Sequence, residues 1–195
     1  MKYLLFKSVI QLYLFLNSCQ VFKKSKYYLL LKGIENPDNN LELRRHAKQY
    51  LKRQALFDVI EFIYELYKYK RPSSLSHHAI TVIIFSILYK YGNNNTTFPA
   101  VLLGMNQATA VFGFNLFIYL KKKNYSTNIR KYQNILMILQ QLIIRIPFIV
   151  YSVIYVISRL IGNNNLTQKE TNIYGIELIV GVLQYFNEME WLIYV

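Results

Sequence analysis

Long apolar blocks alternate with short polar connections along this chain. Met1 to Val21 is almost wholly apolar, broken by Lys2, Lys7, Gln11, Gln20 and a few small polar residues. Similar blocks run from Phe98 to Leu120, Ile135 to Ile161 and Ile173 to Val195. Each is close to the roughly 20 residues with which an α-helix crosses a bilayer, so the pattern predicts four spanning helices. A secretory signal is the alternative for the first block, because Lys2 precedes an apolar stretch and "LNSC" faintly resembles a cleavage or lipidation site. Its length and its "KKSK" ending favour a retained helix.

Two shorter apolar segments, Gln54 to Tyr69 and Leu75 to Tyr91, complete the pattern. In the first, Asp58, Glu61 and Glu65 recur at i, i+3, i+7, which puts three carboxyl groups on one helical face, while Leu56, Ile60, Ile63 and Leu66 line others. A face of that kind cannot look at lipid and must turn inward. The expected fold is an all-α multispanning bundle of about six helices, five or six of which cross, forming a single domain over 1–195.

Loop charge sharpens the count. The connections Lys23 to Arg53 and Lys121 to Lys131 are basic, whereas "GNNNTTF" and "GNNNLTQ" are nearly neutral. Short basic loops tend to share the cytoplasmic side. Six crossings would separate the two basic loops and five would unite them, so charge alone prefers five. The mean hydropathy of +0.16 is modest because Asn, Lys and Tyr crowd the connections.

The net charge of +13 raises the question of nucleic acid. The basic residues flank apolar blocks instead of forming a separate domain, which points to membrane topology and to no nucleic-acid partner. Cys19 is the only cysteine, so an intrachain disulfide and a cysteine-rich metal site are both excluded. The "NNN" tracts read as loop filler, with sequons at Asn94, Asn95 and Asn165.

Several polar groups stand where lipid-compatible residues are expected. Arg145 sits mid-block in "ILQQLIIRIPFIVY" and should face the interior and pair with a carboxylate: Asp58, Glu61, Glu65 or Glu177. Asn106, Gln107, Thr109 and Asn115 mark one helix, and Glu177, Gln184 and Asn187 follow i, i+7, i+10 on another. Such stripes imply either a hydrated, ligand-holding interior or interhelical hydrogen bonding.

The adjacent pair His77–His78 opens the segment "SHHAITVIIF". Consecutive helical residues diverge by about 100°, so the pair does not present one face to a single metal. With three histidines in all, the chain lacks the ligands of a membrane di-iron centre. Two readings stay open. One imidazole performs acid–base or nucleophilic chemistry, oriented by its neighbour or by Asp58; or Ser73, Ser74 or Ser76 caps a helix whose polar first turn the histidines fill.

Taken in order, "ALFDVIEF", "SLSHHAIT", "LIIRIPF" and "LQYFNEMEWLIYV" resemble the TLC family, the TRAM, Lag1 and CLN8 homology domain, over most of the chain. The likeness lies in an Asp-bearing helix, a histidine pair with a threonine three residues on, an intramembrane arginine and an Asn–Trp closing helix. Ceramide synthases of this family carry a further acidic motif, where this chain reads "LLGMNQATAVFGFNLFIYLKK" without Asp, Glu or His. That stretch is closer to the branch outside the ceramide synthases, with Asn106, Thr109 and Asn115 as its degenerate motif.

The resemblance implies a protein of the endoplasmic reticulum membrane in lipid homeostasis, holding or modifying a membrane lipid in a polar-lined cavity. His77, His78 and Asp58 would be the reactive candidates; Arg145, Asn106, Thr109, Asn115, Glu177 and Asn187 would line the cavity. No metal or cofactor is expected. The alternative is an N-acyltransferase of the ceramide synthase type with acyl-CoA as co-substrate; a further one is a non-catalytic structural membrane partner. Neither the lipid nor the oligomeric state is legible.

Overall fold

A computed structural model describes residues 2–33, 41–68, 72–163 and 165–194, without the side chains at 41–43, 72–73 and 190–194. Among the described residues the regular structure is entirely helical: α1 (Lys2–Lys24), α2 (Tyr28–Leu31), α3 (Leu41–Lys68), α4 (Pro72–Tyr91), α5 (Asn94–Lys122), α6 (Thr127–Gly162) and α7 (Gln168–Tyr194). Helices α1, α5 and α6 are long and apolar enough to cross a membrane. The protein is an all-α membrane protein.

The six long helices run antiparallel in chain order. Tyr27, just beyond α1, donates its hydroxyl to the Asn94 carbonyl at the start of α5 (2.9 Å), while Asn115 near the other end of α5 reaches Ser8 and Gln11 of α1. Arg44 at the start of α3 reaches the Gly92 carbonyl after α4 (3.5 Å), and Asn93 donates its amide to Glu170 at the start of α7. One end of the bundle therefore gathers both asparagine-rich loops. The α5–α6 hairpin lies at the opposite end, so the two basic connections are separated. Helices α3 and α4 each run the bundle's length between α1 and α5, which sets the two basic connections at opposite ends.

Interior and exterior are inverted relative to a soluble bundle. Leu5 on α1 is 70% exposed and Ile143 on α6 67%, whereas Asp58 and Glu61 are 3% and 1% exposed. The inward turn expected of the α3 carboxyl face is what the structure shows. Glu61 accepts from both Tyr3 and Lys7 of α1.

Two prolines shape the long helices. Pro99 has no N–H to give the Asn95 carbonyl four residues back, and the Tyr155 hydroxyl of α6 takes that acceptor at 3.3 Å. Pro147 likewise leaves Ile143 without its donor and crowds that carbonyl, and the turn before it, Gln141–Arg145, widens into a π-helix. A second π segment, Ala110–Asn115, interrupts α5.

At the asparagine end the core is aromatic. The Phe98 ring, fully buried, meets Tyr155 at 4.9 Å and Tyr27 at 5.2 Å between centroids, with Phe22 and Tyr151 beyond. Farther in, Gly104 lets α5 close onto α1 and α3: a Cβ there would stand 1.7 Å from the Tyr50 hydroxyl and 3.2 Å from the Ser18 Cβ. Small residues serve close helix contacts in this way.

Candidate functional site

Helix α4 is already helical at Pro72, a residue suited to a first turn. Ser73, Ser74 and Ser76 consequently lie inside the helix, and His77 and His78 occupy its second turn. The reading in which a serine caps the helix and the histidines fill its first turn fails here, because proline starts the helix earlier.

Antiparallel packing of α4 on α3 brings His78 to Asp58, with Nδ1 3.0 Å from Oδ1 and both groups buried. Asp58 is held in turn. Its Oδ2 accepts the Gln54 amide at 2.9 Å, and the Tyr50 hydroxyl donates to Gln54 Oε1 at 3.4 Å. Residues 50, 54 and 58 stand one turn apart on the inward face of α3, so the sequence spacing alone aligns this relay. With the carboxylate as acceptor, the proton resides on Nδ1 of His78, and Nε2 is left as the basic nitrogen.

His77 is half-buried, its ring edge-on to His78 with centroids 5.2 Å apart. The Thr81 hydroxyl donates to its carbonyl at 2.7 Å, which ties the pair to the next turn. The charges of Asp58, Glu188 and Arg145 all act on this imidazole, so it lies within electrostatic reach of ionisable groups on α3, α6 and α7.

The second group is built on the π segment of α6. Arg145 pairs with Glu188 of α7 and lies over the Phe114 ring of α5 at 5.5 Å. Glu188 also accepts the Gln141 amide and, at 3.0 Å, the Gln184 amide. The expectation that Arg145 faces inward and pairs with a carboxylate holds, but its partner is none of Asp58, Glu61, Glu65 or Glu177. Those lie on α3 or on another level of α7, whereas the widened turn at Gln141–Arg145 aims the guanidinium at Glu188.

Glu188 is the residue that sequence reasoning missed, and its signal was present. It stands eleven residues after Glu177 and four after Gln184, nearer the centre of that helical face than Asn187 does. Asn187 is half-buried and turned about 100° from Glu188 around α7.

The other predicted cavity residues are distributed. The Gln107–Thr109 turn packs against Gln141–Arg145, and the Thr109 hydroxyl donates to the Asn106 carbonyl at 2.6 Å. Asn115 donates to Gln11 Oε1 (2.7 Å) and Ser8 Oγ (3.0 Å), a contact that fastens α5 to α1. Glu177 is buried within electrostatic reach of Tyr155 and Tyr174, about 16 Å along α7 from Glu188. Trp191 lies outside the described side chains.

Satisfaction inside the bundle is incomplete. Among the described residues, Arg145 Nε, Gln141 Oε1, Asn106 Oδ1 and both oxygens of Glu177 are buried with no hydrogen-bond partner in the protein. Buried polar groups are normally paired, so these atoms ask for water or a polar ligand. The arrangement combines an oriented imidazole, a second imidazole beside it and an arginine–glutamate pair across from both. Set against protein-family models, curated proteins and solved structures, this chain matches none of them.

Proposed function

We propose that this protein holds or modifies a membrane lipid whose polar head enters the bundle between α3, α4, α6 and α7, as a TLC-like protein of the endoplasmic reticulum membrane. The observation that carries the reading is the buried His78–Asp58 pair with His77 and the Arg145–Glu188 pair beside it. Ionisable groups inside a membrane bundle are costly and mark sites of function. The unsatisfied Arg145 Nε and Gln141 Oε1 supply unused donor and acceptor capacity for a lipid headgroup. The order of the Asp helix, histidine pair and arginine helix supports the same reading by resemblance.

Acyl transfer from acyl-CoA to a long-chain amine is the second reading, favoured by Asp58 fixing the tautomer of His78. In it the amine nitrogen attacks the thioester carbonyl, the new N–C bond forms as the C–S bond breaks, and the amine proton passes to an imidazole and on to the departing thiolate. A positioned base of this kind contributes about 10²–10⁴-fold.

One experiment separates the two. Full-length protein is purified in mild detergent, its co-purifying lipids are identified by mass spectrometry, and the sample is assayed with a long-chain acyl-CoA and a sphingoid base. Lipid retained by the wild type and lost in His78→Ala and Asp58→Asn supports the lipid-holding site. Turnover that falls at least about 10²-fold in the same variants selects acyl transfer. Identical lipid content in all three proteins without turnover removes both, and leaves the cluster a structural role.

A further inference from the structure

The outer face of α3 carries a different feature. Arg44, Lys48 and Lys52 repeat every fourth residue, Arg45 flanks them, and with Gln49 and Tyr89 of α4 they line an open depression of about 510 Å³ at the asparagine end. No carboxylate is among these lining residues. The contacts that do exist leave the charge in place, because Arg44 meets the Gly92 carbonyl and the Lys48 ammonium lies 5.9 Å from the Tyr89 ring centroid. Partial burial, then the neighbouring Arg44 and Lys169, push the Lys48 ammonium below its ordinary value. Among its described lining residues the patch is a cluster of cations with no carboxylate.

The same every-fourth row continues past Lys52 into Leu56 and Ile60, which are 61% and 39% exposed, with Val59 and Ile63 alongside. On α4, Ile83 is exposed below Tyr89. From Arg44 to Ile60 the row spans about 24 Å. It changes from cationic to apolar within a single turn, as the boundary between headgroup and hydrocarbon does.

We propose that the depression lined by Arg44, Arg45, Lys48 and Lys52 binds the phosphate headgroup of an anionic phospholipid, whose acyl chains lie along Leu56, Val59 and Ile63. A lipid is favoured over a soluble phosphate because Leu56, Val59 and Ile63, exposed and on the same side of α3, lie directly below the cations. This inference rests on the outer surface and is independent of the histidine site.

The test uses the full chain in nanodiscs of phosphatidylcholine doped with spin-labelled phosphatidylserine, with spin-labelled phosphatidylcholine as the neutral reference. The wild type is expected to immobilise the anionic label preferentially, and the preference should fall with rising ionic strength. Arg44→Gln, Lys48→Gln and Lys52→Gln should each reduce the preference about fivefold, the equivalent of the ~1 kcal/mol a cation contributes near an anionic surface. Lys68→Gln, on the same helix at the opposite end, should leave it unchanged. Equal immobilisation of the two labels by the wild type overturns the proposal, whether or not a variant folds. So does full displacement of the anionic label by inorganic phosphate or by coenzyme A, which would make the site one for a soluble phosphate.

Discussion

Around Phe98 the helices meet through rings; around Asp58 and Glu188 they meet through hydrogen bonds among groups that can carry charge. The first region joins Phe22, Tyr27, Tyr151 and Tyr155 about one phenylalanine, and its hydroxyls satisfy backbone carbonyls that Pro99 and the loop leave available. The second joins His77, His78, Arg145 and their carboxylates, sits on a π segment and leaves buried donors and acceptors without partners. Dispersion and ring geometry are tolerant of membrane surroundings, whereas buried charge is stable only with its partner in place. The aromatic region is where this bundle keeps its shape; the polar region is where it can act on something else.

Phe98→Ala is the most severe test of that division. Removing a fully buried ring should destabilise the protein by about 3–5 kcal/mol, read as a lower unfolding temperature in detergent. In whatever fraction stays folded, lipid retention at the histidine site should be unchanged. A selective loss of lipid without loss of stability would break the comparison.

Arg145→Leu comes next, at about 3 kcal/mol, because it strands Glu188 in the interior. The double variant Arg145→Leu with Glu188→Leu should regain most of that stability, since no buried charge is left unpaired, while lipid retention stays low. Recovery of stability and retention together would assign the pair to packing alone.

The smallest effect belongs to the first turn of α7. Thr167 and Glu170 form a reciprocal capping box at the start of α7: the Thr167 N–H donates to Glu170 Oε2 at 3.0 Å and the Glu170 N–H to the Thr167 hydroxyl at 3.3 Å. Burial alone would raise the Glu170 carboxyl, but its hydrogen bonds from Thr167 and Asn93 and the charge of Lys169 outweigh that and hold it below the ordinary carboxylate value. A carboxyl lowered by folding stabilises above its unfolded value and loses that contribution as pH falls through its folded one. Glu170→Gln should therefore cost less than about 1 kcal/mol near neutrality, with the difference from wild type vanishing in acid, measured as unfolding temperature against pH. A difference that persists unchanged in acid would show that the carboxylate charge is not what caps the helix.

The degree to which the sequence revealed this molecule varies with the range of the interaction. Asp58, Glu61 and Glu65 could be assigned to the interior from spacing, because a helix fixes the angle between residues three and seven apart. The inward turn of Arg145 followed from the cost of exposing a guanidinium to lipid. Its partner did not, since Glu188 is 43 residues away and the choice among carboxylates depends on how α6 and α7 slide past each other. The end of the bundle at which each basic connection lies escaped the sequence for a related reason: loop charge weighs side chains at the ends, while packing of α3 along the whole of α4 decides how often the chain turns back.

Local chemistry thus determined the class of this protein. Apolar blocks of about 20 residues, carboxyl groups at helical spacing and a histidine pair at the head of a segment follow from the chain alone, because a helix converts sequence distance into direction. Only the tertiary structure decided that His78 meets Asp58, that Arg145 meets Glu188, and that His77 lies within electrostatic reach of both pairs. Those contacts join α3 to α4 and α6 to α7, and the register of one helix against another is set by the summed packing of many side chains, which no local pattern encodes.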